Sequence, residues 1–89
     1  MKVLELKGVV RKDVPIYYRR FFSGSIVLEL MNNKAVERKL EFSIETKPTG
    51  QKEIIVKLTE TIDYPLVPVV KEIKQYIYNL DADGGLPLE

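Results

Sequence analysis

One stretch limits what this chain can fold into. From Val36 to Glu45, Val36, Arg38, Leu40, Phe42 and Ile44 alternate without a break with Glu37, Lys39, Glu41, Ser43 and Glu45. Successive side chains of a strand point to opposite faces, so this run reads as a strand with one mostly apolar and one charged face. Its surroundings read the same way. Ser25 to Leu58 divides into three antiparallel strands joined by two tight turns, at Asn32-Asn33-Lys34 and at Lys47-Pro48-Thr49-Gly50-Gln51. Asparagine suits the positive φ of tight hairpins, and proline and glycine stand where a turn wants them.

In the strand from Ser25 to Met31, Ile26, Leu28 and Leu30 alternate with Val27, Glu29 and Met31. A short turn sets Met31 beside Val36 and Ser25 beside Phe42. Ile44 and Thr46 then need partners upstream, so the strand is expected to continue back through Gly24, as a bulge, into Phe22 and Arg20. The last strand has Ile54, Val56 and Leu58 on one face. Lys2 to Arg11 reads as a first strand. Its Leu4, Leu6 and Val10 share a parity with Gly8, while Val3 and Val9 share the other with Glu5, Lys7 and Arg11. Gly8 marks a bulge or a close backbone approach.

Pro68 fits the first position of a helix running to about Leu80. Val69, Val70, Ile73, Tyr76, Ile77 and Leu80 line one side of it, the spacing of a helix lying on a sheet. The fold expected is α+β: a four-stranded, mainly antiparallel sheet, β-β-β-β-α, with one C-terminal helix packed on one face. Residues 1–81 form a single domain and residues 82–89 a flexible acidic tail. Val27, Met31 and Ile55, with Val3 and Val9, would form an apolar cluster on the other face, a surface for self-association.

Composition narrows function by exclusion. The chain has no cysteine and no histidine, which removes thiolate and imidazole chemistry. No glycine-rich phosphate loop is present. No apolar run reaches the roughly 20 residues of a membrane span. Met1-Lys2-Val3-Leu4-Glu5 meets an acid too early for a signal peptide, so a cytoplasmic location is expected. No enzyme activity, cofactor or metal site is expected. Asn79-Leu80-Asp81-Ala82-Asp83-Gly84 resembles the first half of a calcium loop, but Asn79 replaces the usual aspartate and Glu89 comes one residue early. It reads as a helix end.

Net charge is +1, yet residues 1–24 carry six bases and two acids. Within that basic quarter lies Tyr17-Tyr18-Arg19-Arg20-Phe21-Phe22. Single-strand binders interleave stacking rings and phosphate-binding arginines in this way. Arg19 and Arg20 would meet phosphates, Tyr17, Tyr18 or Phe21 would stack on bases, and Lys7, Arg11 and Lys12 would extend the positive track. The strand-and-helix order is also the coarse layout of some single-strand binders, an analogy of fold alone. Arg38, on the apolar parity, reads as an arginine reaching water at the strand end, or as one paired with Glu60 or Asp63. Two readings stay open. The chain is a small non-catalytic module that binds single-stranded DNA or RNA through the basic aromatic strand. Alternatively it binds a protein partner or itself, as a homodimer, through the semi-apolar sheet face and the edge strand.

Overall fold

The alternation described above does fold into strands. The computed structural model describes residues 1–16 and 18–87, with Asn32 described by its backbone only. Strands β1 (Lys2–Lys12), β2 (Arg19–Glu29), β3 (Ala35–Thr46) and β4 (Lys52–Leu58) are followed by helix α1 (Leu66–Ala82). The strands form one antiparallel sheet in the order β1-β2-β3-β4. The helix covers one face, so the fold is the expected α+β arrangement. Among the described residues no helix is long and apolar enough to cross a membrane.

The even-numbered residues of β2, β3 and β4 point toward α1. Phe22, Ile26, Leu28, Leu40, Phe42, Ile44 and Ile54 are buried there against Val69, Ile73 and Ile77 of the helix. Phe22 and Phe42 face each other across two strands and stack, with ring centroids 4.9 Å apart. Full burial of side chains this large contributes about 1.5–3 kcal/mol each.

The register between β2 and β3 differs from the expected one. Leu28 pairs with Val36, Ser25 with Lys39 and Phe22 with Phe42. The loop between them holds five residues. Leu30 N–H donates to Lys34 C=O at 2.7 Å, Met31–Asn33 forms a single 3₁₀ turn, and Asn33 takes a φ of 58°. Moving the pairing by three residues puts apolar residues of both strands on one face, which is what fixes register when one face is buried. β2 does extend back to Arg20, but its pairing with β3 runs through Gly24 without a bulge.

The irregularity lies in β1. Its register with β2 shifts between Val3 and Glu5 and again between Lys7 and Val10. At the second shift Gly8, with a φ of 62°, and Val9 stand opposite Gly24. Each shift reverses the facing parity. Val3, Leu6 and Val9 all pack on the core as a result, whereas Leu4 and Val10 are exposed. The expected apolar cluster on the open face therefore does not assemble. Val3 and Val9 are on the helix side, Met31 is in the 3₁₀ turn, and only Val27 and Ile55 remain.

α1 begins two residues before Pro68, after Pro65. Backbone N–H groups of the first turn have no partner within the helix, so a proline there removes no bond. The helix ends with Asp83 N–H on Asn79 O, Gly84 N–H on Asp81 O and Gly85 N–H on Leu80 O. Gly84 adopts a φ of 73°, the left-handed turn that closes many helices. Asn79 and Asp81 are helical, so the resemblance to a calcium loop is not realised. Among the described residues no group of three or more carboxylates is placed to hold a metal ion. Leu86, in the segment expected to be a free tail, is 7% exposed and packs in the core. Leu88 and Glu89 lie outside the described residues. Arg38 pairs with neither Glu60 nor Asp63. Its Nε donates to Thr61 O and its Nη1 to Glu37 O, each at 2.8 Å.

A Cβ on Gly24 would lie 3.2 Å from Lys7 O and 3.3 Å from Val9 Cα, both backbone atoms of β1. Gly24→Ala should cost about 1–3 kcal/mol through this crowding. Urea denaturation checks it; an unchanged midpoint would mean that β1 shifts freely.

Candidate functional site

The basic aromatic segment is not one surface. Cross-strand partners share a face, so Lys12, paired with Phe21, and Arg19, paired with Glu45, lie on the open face of the sheet with Lys7. Arg11 pairs with Phe22 and Arg20 with Ile44, which puts both on the helix side. The bulge at Gly8 and Val9 separates Lys7 from Arg11. Phe22 is core, Phe21 is half-buried, and Tyr18, just before β2, is 56% exposed. Tyr17 lies outside the described residues.

The cations of this segment are held by carboxylates of other elements. Lys7 Nζ lies 2.8 Å from Glu37, Lys12 bonds Glu41, and Arg19 bonds Glu45. The hydrogen bond from Glu37 raises the pKa of Lys7, that from Glu45 raises Arg19, and Lys12 holds the Glu41 carboxyl below its ordinary value. These pairs are solvent-exposed to varying degrees and contribute little to stability. Their effect is on charge: β3 lays Glu37, Glu41 and Glu45 along the positive track.

Arg20 has a stronger partner. Its guanidinium bonds both carboxylate oxygens of Asp81, at 2.9 and 3.1 Å, and Lys52 Nζ adds a third contact at 2.6 Å. The Asp81 side chain is 8% exposed. A bidentate arginine is the geometry in which such pairs are strongest. This clamp ties the last turn of α1 to β2 and β4. Arg20 bonding first, and Lys52 after it, holds the Asp81 carboxyl below its ordinary value of 3.8.

The other side of the molecule presents a different surface. Between α1 and β4 lies a groove of about 600 Å³, walled by Ile54, Leu66, Val67 and Val70. Lys52, Lys71 and Lys74 rim it, with Tyr78 at one end. Val67 is 81% exposed, and Leu66 and Tyr78 are about half exposed. No carboxylate lines it among the described residues. Sequence reasoning missed this groove because it began the helix at Pro68, which left Leu66 and Val67 in a connector. Continuing the apolar spacing of Val70 and Ile73 backward to Leu66 would have signalled it.

The groove runs beside an open sheet edge. β1 and β4 are the two edge strands. The edge at β1 carries two register shifts, a common way of blunting an edge against pairing. β4 pairs with β3 in unbroken register over all seven of its residues.

Comparison with known proteins gives a family match. The model of a protein family that takes its name from a gene locus rather than from an activity matches residues 1–82. No curated protein and no solved structure matches the chain.

Asp81→Asn should destabilise the fold by about 1–3 kcal/mol at pH 7, the usual worth of hydrogen bonds to charged groups. A carboxyl whose pKa is lowered by folding stabilises the folded state fully above its unfolded value and loses that contribution as pH falls through it. The difference in urea midpoint between the variant and the original protein should therefore be constant from about pH 7 to 5 and shrink below about pH 4. A difference that is independent of pH would contradict the ion-pair account.

Proposed function

The chain belongs to the locus-named family whose model spans residues 1–82, and we propose that it is a small non-catalytic protein-interaction module that binds through the α1–β4 groove. One observation carries this reading: a regular, unblunted strand edge lies beside an apolar groove rimmed by lysines. Edge strands are a liability that folded proteins usually manage. Here the β1 edge is managed and the β4 edge is not. The exposed side chains of Leu66 and Val67 stand at the same place, where an apolar surface marks an interaction site.

Single-strand binding through Tyr17–Phe22 asks for cations that can reach phosphates. Lys7, Lys12, Arg19 and Arg20 each already hold a carboxylate, and Phe22 is unavailable for stacking. The surface on the groove side supports the protein reading better.

Peptides selected from a displayed random library should bind the protein, and Val67→Asp should weaken them about tenfold or more, as loss of a central apolar contact does. The variant should keep its melting temperature. Val67 is in the first turn of α1, where an acidic residue is favourable. Recovery of no groove-dependent peptide, together with salt-sensitive binding of a single-stranded oligonucleotide that Arg19→Ala with Arg20→Ala abolishes, would overturn the proposal.

A further inference from the structure

The hydrogen bonding of β4 specifies what kind of segment fits the groove, given the α1–β4 reading above. At one end of the β3–β4 ladder Thr59 N–H donates to Lys39 O at 3.1 Å, and at the other Lys47 N–H donates to Gln51 O at 2.8 Å. Both pairs are odd-numbered and lie in the same register as Ser43 with Ile55. Hydrogen-bonded and non-hydrogen-bonded pairs alternate along an antiparallel ladder. Glu53, Ile55 and Lys57 therefore direct their backbone groups at β3. Lys52, Ile54, Val56 and Leu58 direct theirs at the free edge.

The side chains of those same four residues are on the helix side, since they pair with Thr46, Ile44, Phe42 and Leu40. A strand laid along the edge would thus bond to the residues that floor the groove. The residues of that strand making those bonds would send their own side chains into the groove, because hydrogen-bonded partners share a face. Main-chain bonds would give affinity and the groove would choose the side chains.

The groove asks for two kinds of side chain. Toward the start of α1 its wall is Leu66, Val67 and Val70. Toward the Lys52 end of β4 its rim is Lys71 and Lys74. Lys52 is engaged by Asp81, whereas Lys71 and Lys74 hold no carboxylate among the described residues. We infer that the groove accepts an extended segment of another protein, added as a fifth strand on β4, whose groove-facing alternate residues are apolar and then acidic. A second copy of this chain fits less well. Its own β4 would present Lys52, Ile54, Val56 and Leu58 to the groove, a lysine and no carboxylate.

The probe is an end-blocked eight-residue peptide with valines and one glutamate at alternate positions and threonines between them, followed by fluorescence anisotropy. Replacing its glutamate with lysine should weaken binding about tenfold at low salt, because the charge then meets like charge. N-methylation at the valine and glutamate positions should abolish binding, whereas N-methylation at the threonines should change the Kd by less than about threefold. The double variant Lys71→Glu with Lys74→Glu should reverse the charge preference. Equal loss from both methylation patterns, or indifference to the charge, would overturn the inference. In that event, library-selected peptides that still need Val67 would leave the interaction module standing and remove only its strand mode. A free protein that sediments as a dimer joined through β4 would also overturn it, since the occupant would be a second copy.

Discussion

Everything in this fold depends on one helix covering one face of a four-stranded sheet. The apolar residues of β2, β3 and β4 share that face, and Val69, Ile73 and Ile77 of α1 are what they bury against. Adjacent strands lie about 4.8 Å apart, so four strands span about 14 Å between their outer axes. A helix with its side chains is about 10 Å across. One helix cannot close the whole face, and Ile62, Tyr64 and Leu86 complete the cover from the chain on either side of α1. Along β4 the cover stays incomplete, and the mismatch in width becomes the groove.

The clamp at Asp81 fixes where that mismatch falls. Arg20 on β2 and Lys52 on β4 converge on one carboxylate in the last turn of the helix. With this end held, Leu66 and Val67 at the other end stand out beside β4 instead of settling over the centre of the sheet. The same clamp removes Arg20 from any role in ligand binding. The basic quarter of the chain is balanced in space by acids that are distant in sequence, which is why its local charge is a poor guide to a partner.

How much could be read in advance follows from the range of each interaction. Strand parity in β3 and β4, the turn at Lys47–Gln51 and the buried stripe of α1 are local periodicities, and they stood in the residues. The register of β2 on β3 was not legible from the turn residues, because Leu30–Lys34 closes as a five-residue loop with a 3₁₀ turn. It was legible in the parity of Ile26 and Leu28 against Leu40 and Phe42. The two bulges of β1 misled the facing of Val3, Val9 and Arg11, since Gly8 marks a bulge without saying which residue it reverses. The Arg20–Asp81 pair spans 61 positions and leaves no trace in any window of sequence. The groove was hidden by a proline taken for the start of a helix when it was the third residue of one.

The claim that β4 is an open edge is tested most directly by amide hydrogen exchange along β4 in the free protein. The account predicts an alternation: the amides of Ile54 and Val56 exchange fast, while those of Ile55 and Lys57 exchange slowly because β3 accepts their bonds. Uniform slow exchange across all four would contradict it, because the outward amides would then already have partners and the edge would be closed.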